Sequence, residues 1–192
     1  MRPALLGLCA LAGLGCFAST DRANYTPQQA GTSSFHNESE TTISLEGCSA
    51  YSFEQRFEHG WRDAGPAVVC VWEGLARAVD AGESLSFPLV APNTPGTWRL
   101  RYTAALGCDP DLPLSQADCE MTGPVYTRPF QVRALCAPSA CGPPLGMPNR
   151  LCPDGEAIAG PTGRCLRDPD SGTCGWEIAE CPRDGSRLTN GL

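Results

Sequence analysis

The chain has 192 residues, enough for one ordinary domain and a small appendage. Its formal charge of −7 at pH 7 is spread without acidic runs, and every one of its 14 basic side chains is arginine. Such a balance favours solubility, implies no particular partner and, lacking a basic stripe, excludes nucleic acid as the expected one. Twelve cysteines point instead to an oxidised, exported protein stapled by disulfides.

At the N-terminus Arg2 precedes a twelve-residue apolar run from Ala4 to Gly15. A bilayer span needs about 20 residues, so the run fits the core of a signal peptide. It closes on Ala12-Gly13-Leu14-Gly15-Cys16, which resembles a bacterial lipobox. That resemblance implies a signal peptide over residues 1–15, cleavage before Cys16 and transfer of diacylglycerol to its thiol. The alternative is cleavage after Ala18, through Cys16-Phe17-Ala18, which releases a secreted or periplasmic protein. Either route leaves ten cysteines for pairing. Residues 16–40 are rich in Ser, Thr, Asn and Gln without a periodic apolar pattern, so a flexible tether is expected there, with His36 solvated.

From Thr41 to Val132 the pattern is that of short strands punctuated by turns. Ile43 and Leu45 alternate with polar residues, as do Tyr51 and Phe53. Glu58-His59-Gly60 reads as a turn. Ala67-Val68-Val69-Cys70-Val71-Trp72 is a continuous apolar run suited to a central strand. Leu85, Phe87 and Leu89 share a face, Pro95-Gly96 marks a turn, and Trp98, Leu100 and Tyr102 alternate after it. Val125, Phe130 and Val132 close the series. Some seven strands in about ninety residues predict an all-β fold with a β-sandwich over residues 41–134. Gly82-Glu83-Ser84-x-Ser86-Phe87 followed by Pro95-Gly96-Thr97-Trp98-Arg99-Leu100-Arg101-Tyr102 resembles the text of bacterial immunoglobulin-like domains. This resemblance implies an Ig-like sandwich and says little of activity. Cys108 and Cys119 bracket a ten-residue loop and are expected to pair locally, leaving Cys48 with Cys70. Asp109, Asp111 and Asp118 in that loop read as an acidic surface loop rather than a Ca²⁺ site.

Residues 135–183 hold Cys136, Cys141, Cys152, Cys165, Cys174 and Cys181 among few large apolar side chains. So thin a core needs staples, and six cysteines allow fifteen connectivities. Zinc is disfavoured because the segment has no CxxC and no histidine. A turn-dominated, disulfide-rich module is predicted, with a small hairpin near Cys174-Gly175-Trp176-Glu177-Ile178. Asp168-x-Asp170-x-Gly172 reads as a turn. The text Cys141-Gly142-Pro143-Pro144-x-Gly146-Met147-Pro148-Asn149, Cys152-Pro153-Asp154-Gly155, Ala159 to Cys165 and Cys174 to Pro182 is similar to a small Cys-rich module at the ends of exported proteins of myxobacteria and their relatives. Residues 184–192 are expected to be a disordered tail.

Neither His36 nor His59 has a nucleophile beside it in a recognisable motif, and no phosphate-cradling loop or metalloprotease signature occurs. The expectation is therefore a non-catalytic, cofactor-free lipoprotein of the outer membrane or cell surface. Its partners would be the membrane, through the lipid, and an unknown protein or cell-surface ligand. Arg164 and Trp176 are the candidate contact residues of the tail. The competing class is a protease inhibitor that presents Arg164 from a disulfide-held loop.

Overall fold

The computed structural model describes residues 15–143, 149–152, 158–179 and 181. The regular secondary structure of the described part is almost wholly β. In chain order come β1 (Cys16–Thr20), β2 (Asn24–Tyr25), β3 (Ala30–Asn37), β4 (Ile43–Leu45), β5 (Tyr51–Phe57), β6 (Gly60–Pro66), β7 (Arg77–Val79), β8 (Ser84–Val90), β9 (Gly96–Leu106), β10 (Met121–Tyr126) and β11 (Phe130–Val132). Beyond them lie one short helix, α1 (Pro138–Cys141), and β12 (Arg150–Leu151), β13 (Ile158–Ala159), β14 (Pro161–Arg167) and β15 (Cys174–Ile178). The chain divides into two compact units, with the boundary between Val132 and Arg133.

The first unit is a β-sandwich. One sheet has three strands in the order β1-β3-β8, all antiparallel. The other has eight and is organised on the long strand β9, which pairs with β4 and β5 on one side and with β10 and β11 on the other. The core lies between the sheets. Trp98, Leu100, Tyr102 and Ala104 alternate inward from β9, and Phe87 and Leu89 do so from β8, as their period of two requires. Tyr102 stands at the centre, with Phe35, Tyr51 and Phe87 rings 5.4 to 5.9 Å away by centroid. Its hydroxyl shares a 2.7 Å hydrogen bond with Ser33. Burial raises its pKa well above the ordinary phenol, against the opposing effect of that bond. Burial likewise pushes Tyr51 up to about 12. The Glu58-His59 turn joins β5 and β6, with Gly60 at φ 126°.

Two expectations are corrected here. Residues 16–37 are not a tether: they supply β1, β2 and β3, and Ala18, Tyr25 and Phe35 are buried in the core. The inward positions of β3 include Ser33 and Asn37, each satisfied by hydrogen bonds, so its alternation is hidden from a count of apolar residues. His36 is half-buried, stacked on Phe17 at 4.3 Å and hydrogen-bonded to Ser84 at 2.7 Å. The second correction concerns 67–72. This run is not a strand, and Val69, Val71 and Trp72 are exposed. The apolar run from Ala4 to Leu14 and the tail 184–192 lie outside the described residues.

The second unit is held by three disulfides, Cys136–Cys174, Cys141–Cys165 and Cys152–Cys181. Numbered along the module, the pairs are first with fifth, second with fourth and third with sixth. β14 and β15 form the hairpin foreseen near Trp176, and β12 pairs with β13. Cys165 and Leu166 are buried between these staples. Asp168 turns the chain by accepting the backbone N–H groups of Asp170 and Ser171.

Candidate functional site

Two places hold the side chains to which the sequence points for chemistry or binding, and a third emerges from the structure alone. The first is the start of β1. Its five residues pair in register with β3, Cys16 opposite Asn37 and Thr20 opposite Ser33. Cys16 packs against the edge of the core, and its thiol faces Asn37 Oδ1 at 3.6 Å. Asn37 is 1 % exposed. Its amide donates to the carbonyls of Thr41 and Val79, both at 2.8 Å, while Oδ1 takes the N–H and hydroxyl of Ser39. Burial first, and the Glu38 carboxylate second, raise the Cys16 thiol above its usual pKa. Both effects disfavour the thiolate, the form in which a cysteine acts as a nucleophile.

The second place is the tail hairpin. Arg164 does not project. Its guanidinium grips Glu177 with two nitrogens, Nε to Oε2 at 2.7 Å and a terminal nitrogen to Oε1, and Thr162 adds a hydroxyl to Oε2. Burial works against the Glu177 charge, but the Arg164 and Thr162 hydrogen bonds outweigh it and hold the carboxyl below its usual range. Trp176 lies across from Cys165 in the hairpin and donates its indole N–H to Gly142 O at 3.0 Å. Arg164 and Trp176 thus sit on one hairpin, where Arg164 bonds across to the opposite strand and Trp176 ties the hairpin to the end of α1.

The third place was not legible in the sequence. On the outer face of the large sheet, the Arg99 guanidinium carbon lies 4.4 Å from the Trp61 ring centre and 3.8 Å from that of Tyr126. Arg99 also donates to Glu54, 2.7 Å from Nε, and Glu54 is nearly buried. Asp63 pairs with Arg101 at 3.5 Å. The alternation of Arg99 and Arg101 with inward Trp98, Leu100 and Tyr102 announces an outward arginine pair. Nothing in the sequence tells which aromatic rings meet it, because Trp61 and Tyr126 arrive from β6 and β10. Such a ladder ties four strands together and leaves its charges neutralised.

Cys108–Cys119 and Cys48–Cys70 are both formed, as expected. Among the acidic residues of the first of these loops, Asp109 is turned to its own backbone, accepting the N–H of Asp111. Among the described residues no group of three or more His, Cys, Asp or Glu side chains is placed to hold a metal ion, and no helix is long and apolar enough to cross a membrane. Five disulfides fit a protein of an extracellular or periplasmic compartment. No protein-family model matches this chain, and no curated protein matches it.

Proposed function

We propose that this chain is an exported lipoprotein of the cell envelope, acylated on Cys16, that displays a β-sandwich of the immunoglobulin-like kind and a disulfide-rich module as a non-catalytic binding or structural unit. One observation carries the reading: β1 begins at Cys16 itself. Cleavage before Cys16 keeps all five of its residues and every register pair with β3. Cleavage after Ala18 would remove three of the five, including a core side chain only 5 % exposed. A sandwich that needs β1 is compatible with the lipoprotein route and poorly compatible with the alternative. The arrangement also alters the expected architecture, because the acylated residue is the first residue of the domain with no linker between them.

Nothing in the geometry favours the protease-inhibitor reading, since Arg164 is bound to Glu177 and a specificity residue must reach into a protease pocket. The expected partners are the membrane through the lipid and a protein or cell-surface ligand met by the exposed loops. The test is metabolic labelling with a palmitate analogue, together with mass spectrometry of the mature N-terminus. Label is expected in the native chain and none in Cys16→Ser. Label persisting in that variant, or a mature chain starting at Ser19, would sink the proposal.

A further inference from the structure

The outer face of the large sheet holds two arginines in unlike states. Arg99 is fully engaged: it donates to Glu54 at 2.7 Å and lies between the Trp61 and Tyr126 rings. Arg101, two residues along β9 and so on the same face, is loosely held. A terminal nitrogen is 3.5 Å from Asp63 Oδ2, and its Nε is 3.9 Å from Glu54 Oε1. That Nε is buried and has no hydrogen-bond partner among the described residues. Neither has the buried Oγ of Ser52, the residue opposite Arg101 in register. Buried polar atoms are nearly always paired, so two unpaired ones on neighbouring strands mark this row as incomplete.

The rest of the row is accessible. The Arg101 and Asp63 side chains are 38 % and 54 % exposed. Tyr126 stands opposite Arg101 on β10 and, with one ring face against Arg99, is still 39 % exposed. Asp63 Oδ1 accepts the backbone N–H of Gly65 at 2.8 Å, which fixes the carboxylate and leaves Oδ2 toward Arg101. An exposed ion pair at that separation contributes little, so a ligand group enters it at small cost. The groups stand on paired strands tied by the Arg99 ladder, and the site is therefore ordered before any ligand arrives.

These groups select the ligand by their chemistry. Whatever sits between Arg101 and Asp63 must accept from a guanidinium and donate to a carboxylate. A hydroxyl does both, whereas an anion only accepts and an ammonium only donates. The Tyr126 ring beside it calls for an apolar surface laid flat. A peptide strand adds at a sheet edge, and this is a sheet face. A sugar ring meets both demands, with hydroxyls on its rim and C–H groups on its faces.

We propose that the face around Arg101, Asp63 and Tyr126 is a glycan-binding site that takes a hydroxyl-bearing pyranose of an oligosaccharide or polysaccharide. This rests on the binding reading given above, for which it names the ligand class, and not on acylation of Cys16. Arg56, opposite Trp61 in register, is exposed, so the test must separate sugar recognition from the attraction of anions to arginine.

The test uses residues 16–192 carrying Cys16→Ser, in affinity electrophoresis through gels containing dextran, laminarin, mannan, hydroxyethylcellulose or polygalacturonate, at low and high salt. Expected is retardation by at least one of the neutral polysaccharides that persists at high salt. Tyr126→Ala should weaken it about tenfold through the lost ring contact. Asp63→Asn and Arg101→Lys should weaken it as well, the second keeping the charge while losing the planar fork. Val90→Ser, on the other sheet, should leave it unchanged. Melting midpoints are read alongside, and Arg101→Lys decides the matter if Tyr126→Ala proves less stable. Retardation by none of the neutral polysaccharides, retardation equal in all three site variants, or retardation by polygalacturonate alone that high salt abolishes would each overturn the proposal. Palmitate labelling of native Cys16 is read separately: label without retardation removes this site and leaves the anchor, whereas retardation without label removes the anchor and leaves this site.

Discussion

Glu177 is only 7 % exposed and keeps its charge because Arg164 and Thr162 surround it. Its folded pKa lies below the ordinary value of 4.5, so its stabilisation is complete above about that pH and is lost as the pH falls through the lower, folded value. The tail hairpin should therefore weaken in acid below pH 4.5, and Glu177→Gln should flatten that dependence while costing about 1–2 kcal/mol at neutral pH. Melting curves over a pH series, followed by the near-ultraviolet signal of Trp176, would show both effects; an unchanged pH profile in the variant would dismiss the argument. Asn37 is the corresponding residue of the sandwich. Asn37→Ala strands the buried carbonyl of Val79 and should cost roughly 2–3 kcal/mol in urea unfolding. Its role was invisible beforehand, because a polar residue pointing inward breaks the very alternation by which a strand is recognised. Arg164 shows the converse: its position beside Cys165 was plain, but the partner that disarms it comes from the next strand.

At the scale of elements, the strands with apolar inward positions were readable. β8, β9 and β11 fall where Leu85-Phe87-Leu89, Trp98-Leu100-Tyr102 and Phe130-Val132 place them, and their side chains are the core. Two elements misled for opposite reasons. β1 to β3 are polar in composition yet structural, their buried faces relying on Ser33, Asn37 and small Ala18 as well as Phe35. The 67–72 run is the most apolar of the middle region yet forms no strand, because Cys70 is drawn to Cys48 and the loop is pinned beside Glu73. A chain beginning at Ser19 lacks most of β1, and should be roughly 2–4 kcal/mol less stable than one beginning at residue 16. Urea unfolding of the two, both with residue 16 absent or replaced by Ser, measures the difference directly; equal midpoints would show that β1 contributes nothing.

For the whole molecule, the division at Val132 separates two ways of being stable. The sandwich buries a continuous aromatic and aliphatic core and carries two disulfides as additions, each worth about 3 kcal/mol by loop closure. Among the described residues the second unit has little beyond Leu166, Ala159 and its cystines at its centre. Thiol reductant at neutral pH should therefore unfold the tail while the sandwich persists. Limited proteolysis after reduction is expected to leave a fragment ending near Arg133, and loss of both units together would refute the division. The two-unit plan and its all-β character were legible because cysteine spacing and strand periodicity are local. The pairing within the tail was not, since fifteen arrangements satisfy the same spacing.

That pairing bears on how the chain is made. In the sandwich each cystine joins consecutive cysteines, Cys48 to Cys70 and Cys108 to Cys119, so an oxidant acting on thiols in order of emergence writes the correct bonds. In the tail the same oxidant would join Cys136 to Cys141, whereas the folded partner of Cys136 is Cys174 and that of Cys152 is Cys181. The partners lie 38 and 29 residues further on, and any early bond must be broken by thiolate exchange. Native pairing of the last third is therefore expected to need thiol–disulfide exchange, whereas the two cystines of the sandwich are expected to form without it.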